Sequence, residues 1–408
     1  MSATDSDGVA AWLVQATLDG LSETDLLDAF CERIVAAGVR VCEVNILIDT
    51  LHPVYEGRAF RWRRDRRDVP SVLEYGRTGQ GGDEDERWLT SPFFHLLQVG
   101  ETVLRRRLAS DVETEFPIHA ELMSRGQTDY LALIHPFGAD GVVGEMDCIY
   151  SSWSTDAAEG FSDAEIALLQ ELGPPLAAAM KSASMTRIAR TIVETYLGRE
   201  TGRRVLAGKI ARGVTEKIST VLWFSDLRGF TNITETAEPS ALIPFLNNYS
   251  EAVISAIHSA GGEVLKLIGD GTLAIFDADD PAEECRRALA AERALRARVP
   301  ELAQLHANQG LPVTTPYIGL HLGEVFYGNV GSEDRLDFTV VGPAVNEASR
   351  IAAMCRSAER DVLISSAFRA AAAPEDKARL VSVGRYALRG VARPQELFTL
   401  DEEGPERP

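Results

Sequence analysis

Apolar residues along this chain repeat with two periods, and the places where the period changes mark its elements. From Ser22 the sequence predicts a helix. Ser22 and Asp25 form a capping box, Leu21 and Leu26 can close a hydrophobic staple over it, and Gly38 stops the helix after Ala37. The period then drops to two, with Cys42, Val44, Ile46 and Ile48 alternating onto one face of a strand. Further strands are predicted over 129–136 and 145–151, with Gly138 to Gly141 as the turn between them. A short helix over 118–125 ends at Gly126. Ser162 opens a second capped helix, in which Glu165 completes the box and Phe161 and Ile166 form the staple. Its stripe of Ile166, Leu169, Leu172, Leu176, Ala179, Ile188, Ile192 and Tyr196 fits a closing helix or a short two-stranded coiled coil. Pro174-Pro175 predicts a kink or break within it. Gly198, Gly202, Gly208 and Gly213, set among Arg and Lys, read as a jointed connector.

The second half is patterned more sharply. Ile218, Thr220, Leu222 and Phe224 alternate along a strand that delivers Ser225-Asp226-Leu227-Arg228-Gly229-Phe230-Thr231. Gly261 to Phe276 reads as strand, tight Gly269-Asp270-Gly271 turn, strand. Asp337 to Val341 forms a strand that ends at Gly342, and Pro343 suits the first position of a helix.

Charge and composition narrow the chemistry. The 408 residues suit two or three domains, and the net charge of −20 argues against a nucleic-acid partner. The cation-rich run from Arg58 to Arg67 therefore reads as a solvated strand edge or turn. Gly81-Gly82-Asp83-Glu84-Asp85 shares letters with the GGDEF motif of cyclic-di-GMP synthases, but its flanks lack strand patterning, which predicts a solvated loop. Five cysteines without a C-x-x-C pair suit reduced thiols in a cytoplasmic protein. The polar, acidic N-terminal residues show no signal peptide, and no run of 18 apolar residues predicts a membrane span.

Three stretches carry candidate chemistry. Asp226 stands at a strand end before a glycine and a helix start, where a carboxylate can take a cation and free N–H groups can take phosphate. An N-capping aspartate would look the same. Asp270 at a hairpin tip is by itself an ordinary turn residue. Two such aspartates on neighbouring strands would instead hold a pair of metal ions. Asn346 and Arg350, four apart, project from one helix face. That pair suits a ribose and a pentavalent phosphate, or a solvated polar face.

In order and spacing, Phe224 to Thr231, Lys266 to Gly271 and Gly342 to Arg350 resemble the class III adenylyl/guanylyl (nucleotidyl) cyclase catalytic domain. Gly323 to Val325 and Gly328 to Ser332 resemble the same family's dimer arm. The resemblance implies a ferredoxin-like α+β fold and an adenylate cyclase that converts ATP to 3′,5′-cyclic AMP and pyrophosphate. It implies that Asp226 and Asp270 bind two Mg²⁺ or Mn²⁺ ions, that Asn346 orients the ribose and that Arg350 neutralises the α-phosphate. Leu227 and Phe230 would contact substrate, and Lys266 would read adenine, where guanylyl members usually carry Glu. Arg389, with Arg393 as the alternative, would hold the triphosphate. Thr339 stands where the most familiar members carry Asp, which resembles subclass IIIb. The resemblance further implies a homodimer with shared active sites. Because no His lies in the motifs, no protein general base is named.

The resulting domain plan is a GAF-like α/β sensor domain over 1–160, a helical linker over 161–216 and a cyclase domain over 217–402. The sensor's ligand is unknown, and its likeness to GAF domains rests on layout alone. A catalytically silent nucleotide-binding or dimerisation module and a guanylate cyclase are the alternatives.

Overall fold

The computed structural model describes residues 3–65, 71–77, 82–108, 114–138, 140, 142–211, 213, 215–391 and 394–401. The chain divides into two compact units, Met1–Ile192 and Val193–Pro408. The division falls inside the helix Asp163–Leu197.

The first unit is built on six antiparallel strands: β1 Glu43–Asp49, β2 Gly57–Arg63, β3 Val72–Tyr75, β4 Val103–Arg107, β5 Asp129–Pro136 and β6 Cys148–Thr155. Their order in the sheet is β3-β2-β1-β6-β5-β4. One face, including Val44, Ile46, Leu131, Leu133 and Trp153, packs in one core with Phe30, Ile34, Leu169, Leu172 and Met180 of the helices Glu23–Ala36 and Asp163–Leu197. The other face, including Tyr130, Ala132, Ile134 and Tyr150, packs with Phe93, Leu96, Phe116 and Leu122. The central strands are therefore covered on both sides.

That double burial explains one misplacement. The strand expected over 145–151 lies at Cys148–Thr155, and every residue in it is buried. Its serines hide the strand from a hydropathy reading, yet they are bonded: Ser151 Oγ accepts from Trp153 Nε1 at 3.1 Å, and Ser154 Oγ donates to the Glu43 carbonyl at 3.3 Å.

Other local expectations stand. Ser22 caps the helix Glu23–Ala36 and accepts from the Asp25 N–H. Ser162 and Glu165 form a reciprocal box, with N–H to carboxylate at 2.8 Å and N–H to hydroxyl at 3.3 Å. The helix of 118–125 lies at Pro117–Ser124.

Two readings need correction. Asp83–Leu89 is a helix with Gly82 at its N-cap, not a loop; four acidic residues in its first turn favour the positive end of the helix dipole. Gly81 lies outside the described residues, as do 139 and 141 of the expected turn. The helix Asp163–Leu197 runs unbroken through Pro174 and Pro175. Burial of Leu169, Leu172, Leu176 and Met180 outweighs the two helix hydrogen bonds that the prolines cannot make. The cation-rich run falls partly on β2, where Arg58 pairs with Glu74 and Arg63 lies 3.4 Å from buried Glu43. Its residues beyond Asp65 lie outside the described set.

The second unit holds β7 Thr215–Leu227, β8 Glu263–Ile268, β9 Gly271–Phe276, β10 Pro316–Gly331, β11 Leu336–Val341, β12 Val362–Ser365, β13 Leu380–Tyr386 and β14 Gln395–Leu400. The sheet runs β13-β14-β12-β10-β7-β9-β8, with β11 paired to β10. Within it, β10-β7-β9-β8 are antiparallel. The helices Pro239–Ser259 and Pro281–Gln309 connect β7 to β8 and β9 to β10, the split β-α-β plan of ferredoxin-like folds. Val221, Trp223, Ala274 and Phe276 pack in one core with Phe245, Tyr249, Leu289 and Leu295 of those helices. Leu222, Ile275 and Val325 share a second core with Ala344 and Ala348 of the helix Pro343–Ala358. That helix lies so close to β10 that a Cβ on Gly319 would come within 2.5 Å of the Ala352 nitrogen. The overall class is α+β.

Candidate active site

β7 ends by presenting Asp226, and the chain turns at Gly229, whose φ of 71° is left-handed, into the short helix Phe230–Thr236. Alongside, the β8–β9 hairpin turns through Gly269 and Asp270. Ser225 pairs with Thr272, which brings the hairpin tip beside Asp226. A side chain on Gly271 would come within 3.0 Å of the Ser225 carbonyl, so the glycine permits this close packing. The Leu227 N–H is shared by Asp226 Oδ1 at 3.1 Å and Asp270 Oδ2 at 3.0 Å.

Burial raises the Asp226 carboxyl from its ordinary value to about 7, and the adjoining Asp270 carboxyl adds to the rise through a shared hydrogen bond and charge repulsion. Two carboxyl groups forced together in this way fit a divalent cation, which would relieve their repulsion. Among the described residues no group of three or more His, Cys, Asp or Glu side chains gathers to hold a metal. A Mg²⁺-type ion is compatible with this sparse set, because it commonly takes one or two carboxylates and fills its shell with water and substrate phosphate.

Asp226 and Asp270 border a cleft of about 1560 Å³ that also includes Leu227, Phe230, Arg296 and Arg356. The remaining sequence-predicted residues do not line that cleft. Lys266, on β8, is ion-paired with Asp337 on β11. Thr339 follows two positions along β11 and so shares the Asp337 face, while Phe338 and Val340 point into the core. Along β10 the register sets Asp226 opposite Tyr317 and Thr339 opposite Gly328, whereas Lys266 pairs with Leu273, which pairs in turn with Phe224, two positions before Asp226.

Asn346 and Arg350 lie on the helix Pro343–Ala358 away from its buried Ala344, Ala348 and Ile351. The Arg350 guanidinium rests against Gly390, where a Cβ would be only 3.3 Å from it, and exposed Arg389 precedes that glycine. The structure thus brings Arg350 next to the Arg389 loop; Arg393 lies outside the described residues. Between the two outward residues, Glu347 bonds Gln395 and lies 3.8 Å from His321, tying the helix to β14 and β10. Sequence reasoning gave Asp337 no role. The signal was its place two residues before Thr339, but the partner Lys266 is 71 residues away.

Residues 214–402 match the family model of the adenylate and guanylate cyclase catalytic domain. They belong to that family. An adenylate cyclase of Anabaena cylindrica is 37% identical over 142 residues, covering 35% of this chain and 28% of the relative. An uncharacterised protein of Mycobacterium tuberculosis is 34% identical over 216 residues, covering 51% of this chain and 38% of the relative. The chain therefore spans well under half the length of these curated relatives. Among solved structures, the adenylyl cyclase CyaB of P. aeruginosa is 28% identical, with 46% of this chain and 96% of that chain covered and a TM-score of 0.42. The guanylyl cyclase Cya2 is likewise 28% identical, with 47% and 97% covered and a TM-score of 0.41. No helix among the described residues is long and apolar enough to cross a membrane.

Proposed function

We propose that the cyclase domain converts ATP to 3′,5′-cyclic AMP and pyrophosphate in a homodimer whose two sites are shared between subunits. The convergence of Asp226 and Asp270 on one amide supports this reading most directly, because it builds a cation-binding pair where a silent module would need none. Two Mg²⁺ or Mn²⁺ ions bound there would supply charge for the ribose 3′-hydroxyl and for the triphosphate.

In the reaction the 3′-hydroxyl gives its proton to water or to a phosphate oxygen of the substrate, its oxygen bonds to the α-phosphorus, the bond from that phosphorus to the bridging oxygen breaks, and pyrophosphate leaves with the bonding electrons. Lys266 donates to the adenine ring, and the Thr339 hydroxyl accepts from the adenine amine. Asn346 orients the ribose. Arg350 offsets the charge that grows on the α-phosphate, and Arg389 binds the triphosphate. Leu227 and Phe230 border the substrate beside the aspartates. The cleft bordered by Asp226 and Asp270 is not lined by Lys266, Thr339, Asn346 or Arg350 of the same chain, which favours a partner subunit as the source of the base-reading and ribose-binding groups.

Residues 1–160 act in this reading as a GAF-like sensor for an unidentified ligand, with 161–216 as transducer. A guanylyl reading has one observation in its favour: Thr339 carries a hydroxyl, which serves either purine, where a carboxylate would favour adenine. The test is turnover of ATP and of GTP with Mn²⁺, assayed for each cyclic product. Cyclic AMP as the main product supports the proposal; cyclic GMP as the main product, or neither, rejects it.

A further inference from the structure

The purine-reading strand carries a carboxylate one step from where a base would be read. Lys266 Nζ is ion-paired with Asp337 Oδ2, and Asp337 lies on the same face of β11 as Thr339. The two side chains are 44% and 45% exposed. A pair so open to water contributes little to the fold. It does restrict a side chain that otherwise has four rotatable bonds and three equivalent donors.

That restriction bears on which purine is accepted. Adenine N1 is an acceptor, so an ammonium hydrogen held opposite it forms a bond. Guanine carries a hydrogen on N1 and an acceptor at O6. A freely swinging ammonium can leave N1 and bond O6, and discrimination is lost. An ammonium tethered through one of its hydrogens cannot make that move without breaking its own ion pair.

We propose that Asp337 is a positioning residue for purine choice. It takes one ammonium hydrogen of Lys266 and holds the other two toward the base edge read with the Thr339 hydroxyl. This inference rests on the adenylyl reading and goes beyond it by naming what keeps Lys266 selective where residue 339 is not an acid.

The test uses the full chain with Mn²⁺ and steady-state kinetics on both nucleotides for wild type, Asp337→Ala, Asp337→Glu, Lys266→Met and the Lys266→Met/Asp337→Ala double variant. Asp337→Ala is expected to raise KM for ATP about three- to tenfold, leave kcat within about twofold, and narrow the preference for ATP over GTP. Asp337→Glu, which keeps the carboxylate, is expected to restore most of the preference. The double variant is expected to match Lys266→Met alone, because the tether acts only through the lysine. The inference is overturned if Asp337→Ala matches an active wild type on both nucleotides, or if the two substitutions multiply independently. A wild type without ATP turnover overturns the adenylyl reading and this inference together, which separates the two failures.

Discussion

Asp226 and Asp270 lie on different strands, yet both carboxyl groups accept from the amide of Leu227, at 3.1 and 3.0 Å. One donor cannot balance two anions, so the folded chain carries local repulsion that a proton or a cation relieves. Substituting either aspartate tests what that repulsion is for. Asp226→Asn or Asp270→Asn should lower cyclic nucleotide formation by about a hundredfold or more. Thermal stability should not fall, because a repulsive pair has been removed. Full activity in either purified variant would reject the cation-binding assignment.

Lys266→Glu should lower kcat/KM for ATP roughly ten- to hundredfold, since a donor to the ring becomes an acceptor. The new carboxylate would also face Asp337. Steady-state kinetics decide the matter, and unchanged ATP kinetics would place Lys266 outside the substrate site.

The shared-site proposal makes a quantitative claim for mixed dimers. Asp226→Ala and Asn346→Ala should each be nearly inactive alone, because each damages both sites. In a mixed dimer both lesions fall in one site and the other is intact. Random pairing makes about half the dimers mixed, so activity should return to about a quarter of wild type. Co-expression with two different tags isolates the mixed species, and a mixed dimer without activity would point to a site within one chain.

Glu284 gives a stability prediction independent of catalysis. Its side chain is 1% exposed; Oε1 accepts from the Ala278 N–H at 3.2 Å and Oε2 has no hydrogen-bond partner. Burial, with help from Asp277 and Asp280, raises its carboxyl from 4.5 to about 7. The folded chain therefore holds a proton that the unfolded chain has released between those values, and stability falls as pH rises through that window. Glu284→Gln should stabilise the protein at pH 8 by on the order of 1–3 kcal/mol and give no such gain near pH 4.5. Denaturant unfolding at the two pH values measures it; an equal effect at both would show that Glu284 does not titrate there.

Gly173 tests the long helix. A Cβ at this position would come within 2.5 Å of the His135 ring. Gly173→Ala should destabilise the first unit by about 1–3 kcal/mol through overpacking, although alanine is the better helix former. His135→Ala added to it should recover part of the loss, and a Gly173→Ala variant at least as stable as wild type would contradict the packing described.

What could be read from the sequence was local. The Ser22 and Ser162 caps, the Gly269-Asp270-Gly271 turn and the alternation from Ile218 to Phe224 each declare themselves within a few residues, because capping, turn geometry and pleat are short-range. What was missed depends on neighbours distant in sequence. The edge strands β3 and β4 are short, and β4 is rich in arginine, so their strand character comes from pairing rather than from pattern. Of the kink or break expected at Pro174-Pro175, the break is absent, because the helix is held against the sheet on which it packs. The Lys266–Asp337 pair joins two strands whose own sequences show only alternation.

The absence of Lys266 and Thr339 from the cleft of Asp226 and Asp270 has a consequence, under the shared-site proposal, for how activity would follow the abundance of the chain. If the aspartates at one end must meet the base-reading strand of a second molecule, a lone chain is idle however much ATP surrounds it. Product would then form in proportion to the square of chain concentration when dimers are scarce, and only linearly once they predominate. Dilution would serve as an off-state, and a modest rise in synthesis of the protein would be amplified in its cyclic nucleotide output.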